Sequence, residues 1–190
     1  MLKLMRMNEE QTERLYESRM KRDFPPSELK TLQAILLMMR RDEYDVFSAE
    51  RDGRQAAYAL LYHPKDGQVV LLDYLAVEPE LREQGIGTQF LMRLKECYAQ
   101  GTDVLLIECE RPKAAPDEAE ARKRIRFYQY VGAQDTSVRV WLFGVEYSIL
   151  VLPCKGSMAK EMDWASQILE LYRRMLPPEL FKENVRLIRA

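Results

Sequence analysis

The stretch from Val69 to Thr88 constrains this chain more than any other. Val69-Val70-Leu71-Leu72-Asp73-Tyr74-Leu75-Ala76-Val77 is apolar on both faces, which predicts a central strand. Glu78-Pro79-Glu80-Leu81 then turns the chain, and Arg82-Glu83-Gln84-Gly85-Ile86-Gly87-Thr88 opens a helix that runs to Gln100. Gly85 and Gly87 let the backbone approach a bound group closely. The N–H groups of residues 84 to 88 converge at a helix N-terminus, where unpaired donors and the positive dipole end favour an anion. Arg82 adds positive charge, and together these features suit a pyrophosphate. The Rossmann fingerprint is excluded because its third glycine would fall on Phe90, and no Gly-Lys-Ser/Thr is present for a Walker loop. Two glycines alone would still leave a ligand-free strand-to-helix turn as the better reading.

The segments around this stretch set its context. Residues 2–6 read as a short first strand, and Asn8 with Gln11 forms a capping pair for a helix to about Met20. After Phe24-Pro25-Pro26, Ser27 caps a second helix with Leu29, Leu32, Ile35, Leu36 and Met39 on one face. Residues 44–50, 55–63 and 68–77 are strands separated by Asp52-Gly53 and Lys65-Asp66-Gly67, both turn signals of antiparallel hairpins. Phe90, Leu91, Leu94, Cys97 and Tyr98 form the buried stripe of the helix before Gly101. A strand at Val104 to Cys109, a charged helix at 117–131 and two strands at 136–142 and 145–152 follow. Met158, Met162, Ala165, Leu169, Tyr172 and Leu176 trace a last helix face up to Pro177-Pro178. No repeat or linker interrupts the 190 residues, which predicts one α/β domain.

Charge narrows the partners. The 29 basic and 30 acidic residues nearly cancel, so nothing marks a nucleic-acid or membrane-surface binder. Arg122, Lys123, Arg124 and Arg126, flanked by Glu118 and Glu120, read as a solvated helix face. No apolar run is long enough to span a bilayer, and Met1 to Arg6 is too short and too charged for a signal peptide. Cys97, Cys109 and Cys154, odd in number and without CxxC spacing, point to a reduced, cytoplasmic setting. His63, the single histidine, reads as a solvated residue beside a turn, so no metal site is expected.

Arg82-x-x-Gly85-x-Gly87, directly after Leu75-Ala76-Val77, resembles the acetyl-CoA signature of the GNAT superfamily. Phe127-Tyr128-x-x-x-Gly132-Ala133 is similar to that family's second helix and turn. The signature covers about 15 residues, and the order of elements agrees along nearly the whole chain. The resemblance implies a GNAT fold: a mixed, mostly antiparallel sheet of six to seven strands flanked by helices. An extra C-terminal helix extends over about 157–190.

What the resemblance implies for the site follows residue by residue. The backbone of Leu75, Ala76 and Val77 pairs with the pantetheine arm of acetyl-CoA. Arg82, Glu83, Gln84, Gly85, Ile86, Gly87 and Thr88 cradle its pyrophosphate. Strands 68–77 and 103–110 splay to admit the thioester. Tyr128 protonates the leaving thiolate, a role placed ahead of a plain core tyrosine spaced with Ala121 and Ile125. Glu108 is the candidate general base, with Glu110, Asp73 or water as alternatives and a strand-end salt bridge as an equal reading. The segment Arg22 to Pro26 roofs the acceptor pocket or simply connects two helices. Protein-acetylating members carry a glutamate where Leu71 stands, which tilts the acceptor toward a small-molecule amine.

The expected function is therefore direct transfer of an acetyl group from acetyl-CoA to a primary amine, without metal. The alternatives are an acyl-CoA-binding sensor of the same fold that performs no turnover, and an interaction domain without CoA. The apolar end of 136–152 also suits strand pairing across a homodimer.

Overall fold

A computed structural model describes residues 2–65, 67–155 and 162–188. Eight strands of a mixed, mostly antiparallel sheet are flanked by helices. The chain divides into two compact units, Met1–Lys65 with Leu72–Leu94, and Asp66–Leu71 with Lys95–Ala190.

In the first unit the strands lie in the order β1-β2-β3-β4. β1 (Lys3–Arg6) leads to α1 (Glu9–Leu15), where the Asn8 side chain accepts from Gln11 N and the Gln11 side chain accepts from Asn8 N, both at 2.9 Å. The helix widens into a π turn at Tyr16–Met20 and ends in a short turn α2 (Lys21–Asp23). Such π insertions are rare and cluster at functional positions.

Ser27 does not cap the next helix. Thr31 does, accepting from Ala34 N at 3.2 Å, and α3 spans Leu32–Arg40. The reason lies in tertiary contacts: Lys30 N donates to Tyr74 Oη at 2.9 Å, and Tyr74 Oη donates to Glu28 O at 2.8 Å. These bonds hold residues 28–30 away from helical pairing, which also removes Leu29 from the apolar stripe.

β2 (Tyr44–Arg51) and β3 (Arg54–Tyr62) pair antiparallel through Asp52 (φ 54°) and Gly53 (φ 76°), the two positive values that a type I′ turn requires. β4 (Val69–Val77) has its first six residues buried or half-buried on both faces, as its composition predicts. α4 (Ile86–Tyr98) buries Ile86, Phe90, Leu91 and Leu94, each worth about 1.5–3 kcal/mol of apolar burial. Cys97, expected in that stripe, is exposed, and Tyr98 is half-buried. The division between units cuts β4 after Leu71 and α4 after Leu94.

In the second unit the order is β5-β7-β6-β8. β5 (Val104–Glu110) pairs antiparallel with β7 (Val145–Pro153), which pairs with β6 (Gln134–Leu142). Between them α5 (Glu118–Tyr130) is capped by Asp117, whose side chain accepts from Glu120 N at 3.0 Å.

α6 spans Trp164–Met175, capped by Asp163, and its buried face is Trp164, Ile168, Leu171 and Tyr172, of which the expected row contained Tyr172. Within that row, Ala165 and Leu169 are half-buried, Met162 precedes the helix, and Met158 lies outside the described residues.

Pro177-Pro178 stops α6 as expected, but Pro178 also opens α7 (Pro178–Asn184), and the chain ends in β8 (Val185–Leu187), paired with β6. Among the described residues the strands therefore number eight, and the C-terminal segment carries two helices and a strand. β6 has β7 along one side, and on the other β8 covers it at Val140–Leu142, with Ile188 N donating to Arg139 O at 2.8 Å.

Candidate active site

The first unit holds every residue expected to bind the cofactor. β4 ends where Glu78 N donates to Ala56 O at 2.8 Å, and a 3₁₀ turn at Pro79–Leu81 follows. Arg82 then folds back, its Nε donating to Val77 O at 3.2 Å. Glu83 takes φ 62° and Gly85 φ 75°, left-handed positions two residues apart. Such a conformation in a non-glycine residue costs on the order of 1–3 kcal/mol and concentrates at ligand clamps. Gln84 braces the turn twice: its Nε2 donates to Glu80 O at 2.9 Å, and its Oε1 accepts from Arg51 Nη1 at 3.1 Å.

The first bond of α4 runs from Gln89 N to Gly85 O at 3.0 Å, which makes Gly85 the N-cap. Helices α1, α3, α5 and α6 begin at Asn8, Thr31, Asp117 and Asp163, whose side chains each accept from one of the leading backbone donors. Gly85 has no side chain to do so. The amides of residues 85–88 are therefore left without a side-chain cap at the positive end of a 13-residue helix. This donor set, with Arg82 beside it, fits a diphosphate.

On the same unit, the segment after α2 is tied down by contacts that the sequence did not announce. The Asp23 carboxylate is buried, accepts from Tyr58 Oη at 2.9 Å and from Arg22 Nε at 2.8 Å, and lies 3.6 Å from Arg19 Nε. Burial alone would raise its pKa, but these bonds and the two guanidinium charges hold it below the ordinary carboxylate value. Arg19 also pairs with Glu78 at 2.6 Å, and the Phe24 ring packs edge-on against Tyr74 at 4.9 Å. Asp73, an alternative base, is engaged by Lys30 Nζ at 2.8 Å and by the Tyr44 hydroxyl. His63 is half-buried, its Nε2 3.2 Å from Asp45 Oδ2, and Arg6 pairs with the same carboxylate. It thus lies against a carboxylate rather than standing as a solvated turn residue. The π-turn Arg19 and the Lys30–Asp73 pair escaped sequence reasoning because each partner comes from a distant segment.

The second unit holds Tyr128 and Glu108. Tyr128 is 7% exposed, and burial first, then the neighbouring Cys109 thiol, push its phenol well above the ordinary value; Arg124 opposes this weakly. The phenol is therefore protonated throughout the physiological range. Cys109 is itself pushed up to about 12 by burial. Glu108 and Glu110 lie two apart on β5, opposite Ile149 and Tyr147, and so share a face. Glu110 pairs with Arg124 at 3.5 Å, whereas Arg122 pairs along the helix with Glu118. Arg122, Lys123, Arg124 and Arg126 are all exposed, as expected of a solvated face, and Arg124 reaches across to β5. The turn after α5 closes with Ala133 N donating to Tyr128 O at 2.9 Å.

Residues 42–132 match the family model described as Acetyltransferase (GNAT) domain. Among solved structures, a Bacteroides thetaiotaomicron protein described as an acetyltransferase from the GNAT family aligns at 20% identity and a TM-score of 0.67, covering 90% of this chain and 96% of that one. The ribosomal-protein-S18-alanine N-acetyltransferase from Escherichia coli aligns at 18% identity and a TM-score of 0.60, covering 85% and 99%. A Salmonella typhimurium protein described as an acetyltransferase, solved with its cofactor acetyl-CoA, aligns at 15% identity and a TM-score of 0.57, covering 85% and 98%. At these identities the likeness is one of fold. No curated protein matches the chain. Residues 42–132 thus match the GNAT acetyltransferase family model, and the chain shares the fold of solved GNAT structures.

Proposed function

We propose that this chain transfers an acetyl group from acetyl-CoA to the primary amine of a small-molecule acceptor by direct attack. The observation that carries the reading is the glycine-capped start of α4, whose amides at residues 85–88 are left open beside Arg82. The fold match to a structure holding acetyl-CoA supports the same ligand.

Acetyl-CoA supplies an activated acyl thioester. The Leu75–Val77 backbone aligns the arm, residues 82–88 neutralise the diphosphate, and the acceptor nitrogen gains the acyl carbon as the carbon–sulfur bond breaks. Tyr128 gives its hydroxyl proton to the departing sulfur, and Glu108 or water takes the proton that the amine sheds. The apolar side chain of Leu71 favours a small acceptor over a protein tail.

Calorimetric titration with acetyl-CoA, CoA and an Arg82→Ala variant tests the reading. Saturable binding that weakens in the variant, followed by amine-dependent thiol release, supports it. Absence of binding to the folded wild type overturns it, and binding without thiol release across amine classes leaves the sensor role in its place.

A further inference from the structure

The β2–β3 hairpin places two arginines face to face. Arg51 and Arg54 are direct partners in the antiparallel register across the Asp52-Gly53 turn, and both are exposed. Like charges directly opposite on a strand pair are destabilising, since Cβ atoms there stand only about 4.5–5.5 Å apart. Asp52 offsets the repulsion in part, 3.6 Å from Arg51 Nε but 83% exposed. Arg54 makes no ion pair or hydrogen bond with another side chain among the described residues.

This pair does not stand at a random hairpin. Arg51 Nη1 donates to Gln84 Oε1 at 3.1 Å, inside the Arg82–Thr88 turn, and Ala56 O accepts from Glu78 N at 2.8 Å at the start of that turn. The hairpin tip is thus fixed beside the anion-binding turn by two hydrogen bonds. Glu80 and Glu83 lie on the turn itself, so a purely diffuse positive field is not what the tip offers. It offers two planar guanidinium forks, the donor geometry suited to a phosphate monoester.

We infer that Arg51 and Arg54 form a second phosphate subsite, which takes the 3′-phosphate of the CoA nucleotide while residues 85–88 take the diphosphate. The inference rests on the proposed use of acetyl-CoA. It adds a residue pair from an element outside the signature, and it predicts selectivity for the 3′-phosphorylated nucleotide.

Calorimetry with CoA and with dephospho-CoA, on wild type, Arg54→Gln and Arg51→Gln, tests it. The wild type should bind CoA about tenfold more tightly than dephospho-CoA, the effect of one charged hydrogen-bonded contact. Arg54→Gln should bring CoA down to the dephospho-CoA affinity and leave dephospho-CoA unchanged. Relief of the repulsion should also keep or raise its melting temperature without ligand, so a folding defect cannot mimic the result. Arg51→Gln should weaken both ligands, because it also loosens Gln84. Equal wild-type affinities for the two nucleotides, or an equal loss of both in Arg54→Gln, would overturn the subsite and leave the acetyl-CoA reading standing. Failure of the wild type to bind either nucleotide would overturn both.

Discussion

Lys30 Nζ lies 2.8 Å from the Asp73 carboxylate, which is 7% exposed and also accepts from the Tyr44 hydroxyl. One partner sits in the segment between the α2 turn and α3, the other in the middle of β4. The pair therefore pins residues 24–31 to the strand that runs into the signature turn.

Removing the charge from Lys30 leaves Asp73 buried with the Tyr44 hydroxyl as its remaining partner among the described residues. Lys30→Met should lower unfolding stability by about 2 kcal/mol, below the value for a fully buried pair because Lys30 is 23% exposed. Chemical denaturation measures the loss. Limited proteolysis should show cleavage within residues 24–31 well before global unfolding.

Gly85 stands at φ 75°, and a Cβ there would meet Gln89 Nε2 at 3.8 Å, an ordinary contact. The cost of Gly85→Ala is therefore backbone strain, about 1–2 kcal/mol. Melting temperature should fall modestly. Acetyl-CoA affinity should fall about tenfold or more, as the amides at residues 85–88 lose their alignment.

Tyr128→Phe keeps the packing of a buried ring and deletes the hydroxyl proposed as proton donor. Acetyl-CoA affinity should be unchanged, while kcat falls by about 10²–10⁴. Because burial holds the phenol protonated, the wild-type rate should show no loss from this group up to about pH 10. An unchanged kcat in the variant would return Tyr128 to a packing role.

The thiols separate by burial. Cys97 is exposed, whereas burial pushes Cys109 up to about 12 and Cys154 up to about 11. One thiol should react with an aromatic disulfide reagent in the native protein and three in denaturant. A folded pKa above the unfolded one contributes stability that is intact below the unfolded value and is lost as pH rises through the folded value. Stability should thus decline from about pH 8.5, where unfolded thiols ionise, toward pH 12, and Cys109→Ala should flatten that decline.

Local chemistry made much of this legible. Asn8 and Gln11 announce their reciprocal cap, Asp52-Gly53 its turn, and Gly85 the open helix start, because each effect is contained within a few residues. Ser27 misled because Tyr74, 44 residues away from Lys30, claims the Lys30 backbone and delays the helix to Thr31. Arg19 and Lys30 read as surface charges until Glu78 and Asp73 are seen to meet them. β8 escaped because three residues, only one of them buried, carry too little period to register as a strand.

That last strand has a consequence for the order of synthesis. β6 is complete at Leu142, but its outer partner is not made until Val185–Leu187, at the far end of the chain. At roughly 5–20 residues per second, a nascent second unit waits several seconds with a bare strand edge. Such an edge is a template for pairing with another chain. Crowded polysomes and overexpression are therefore where this protein is most exposed to aggregation, and a stop codon before Val185 would make the exposure permanent.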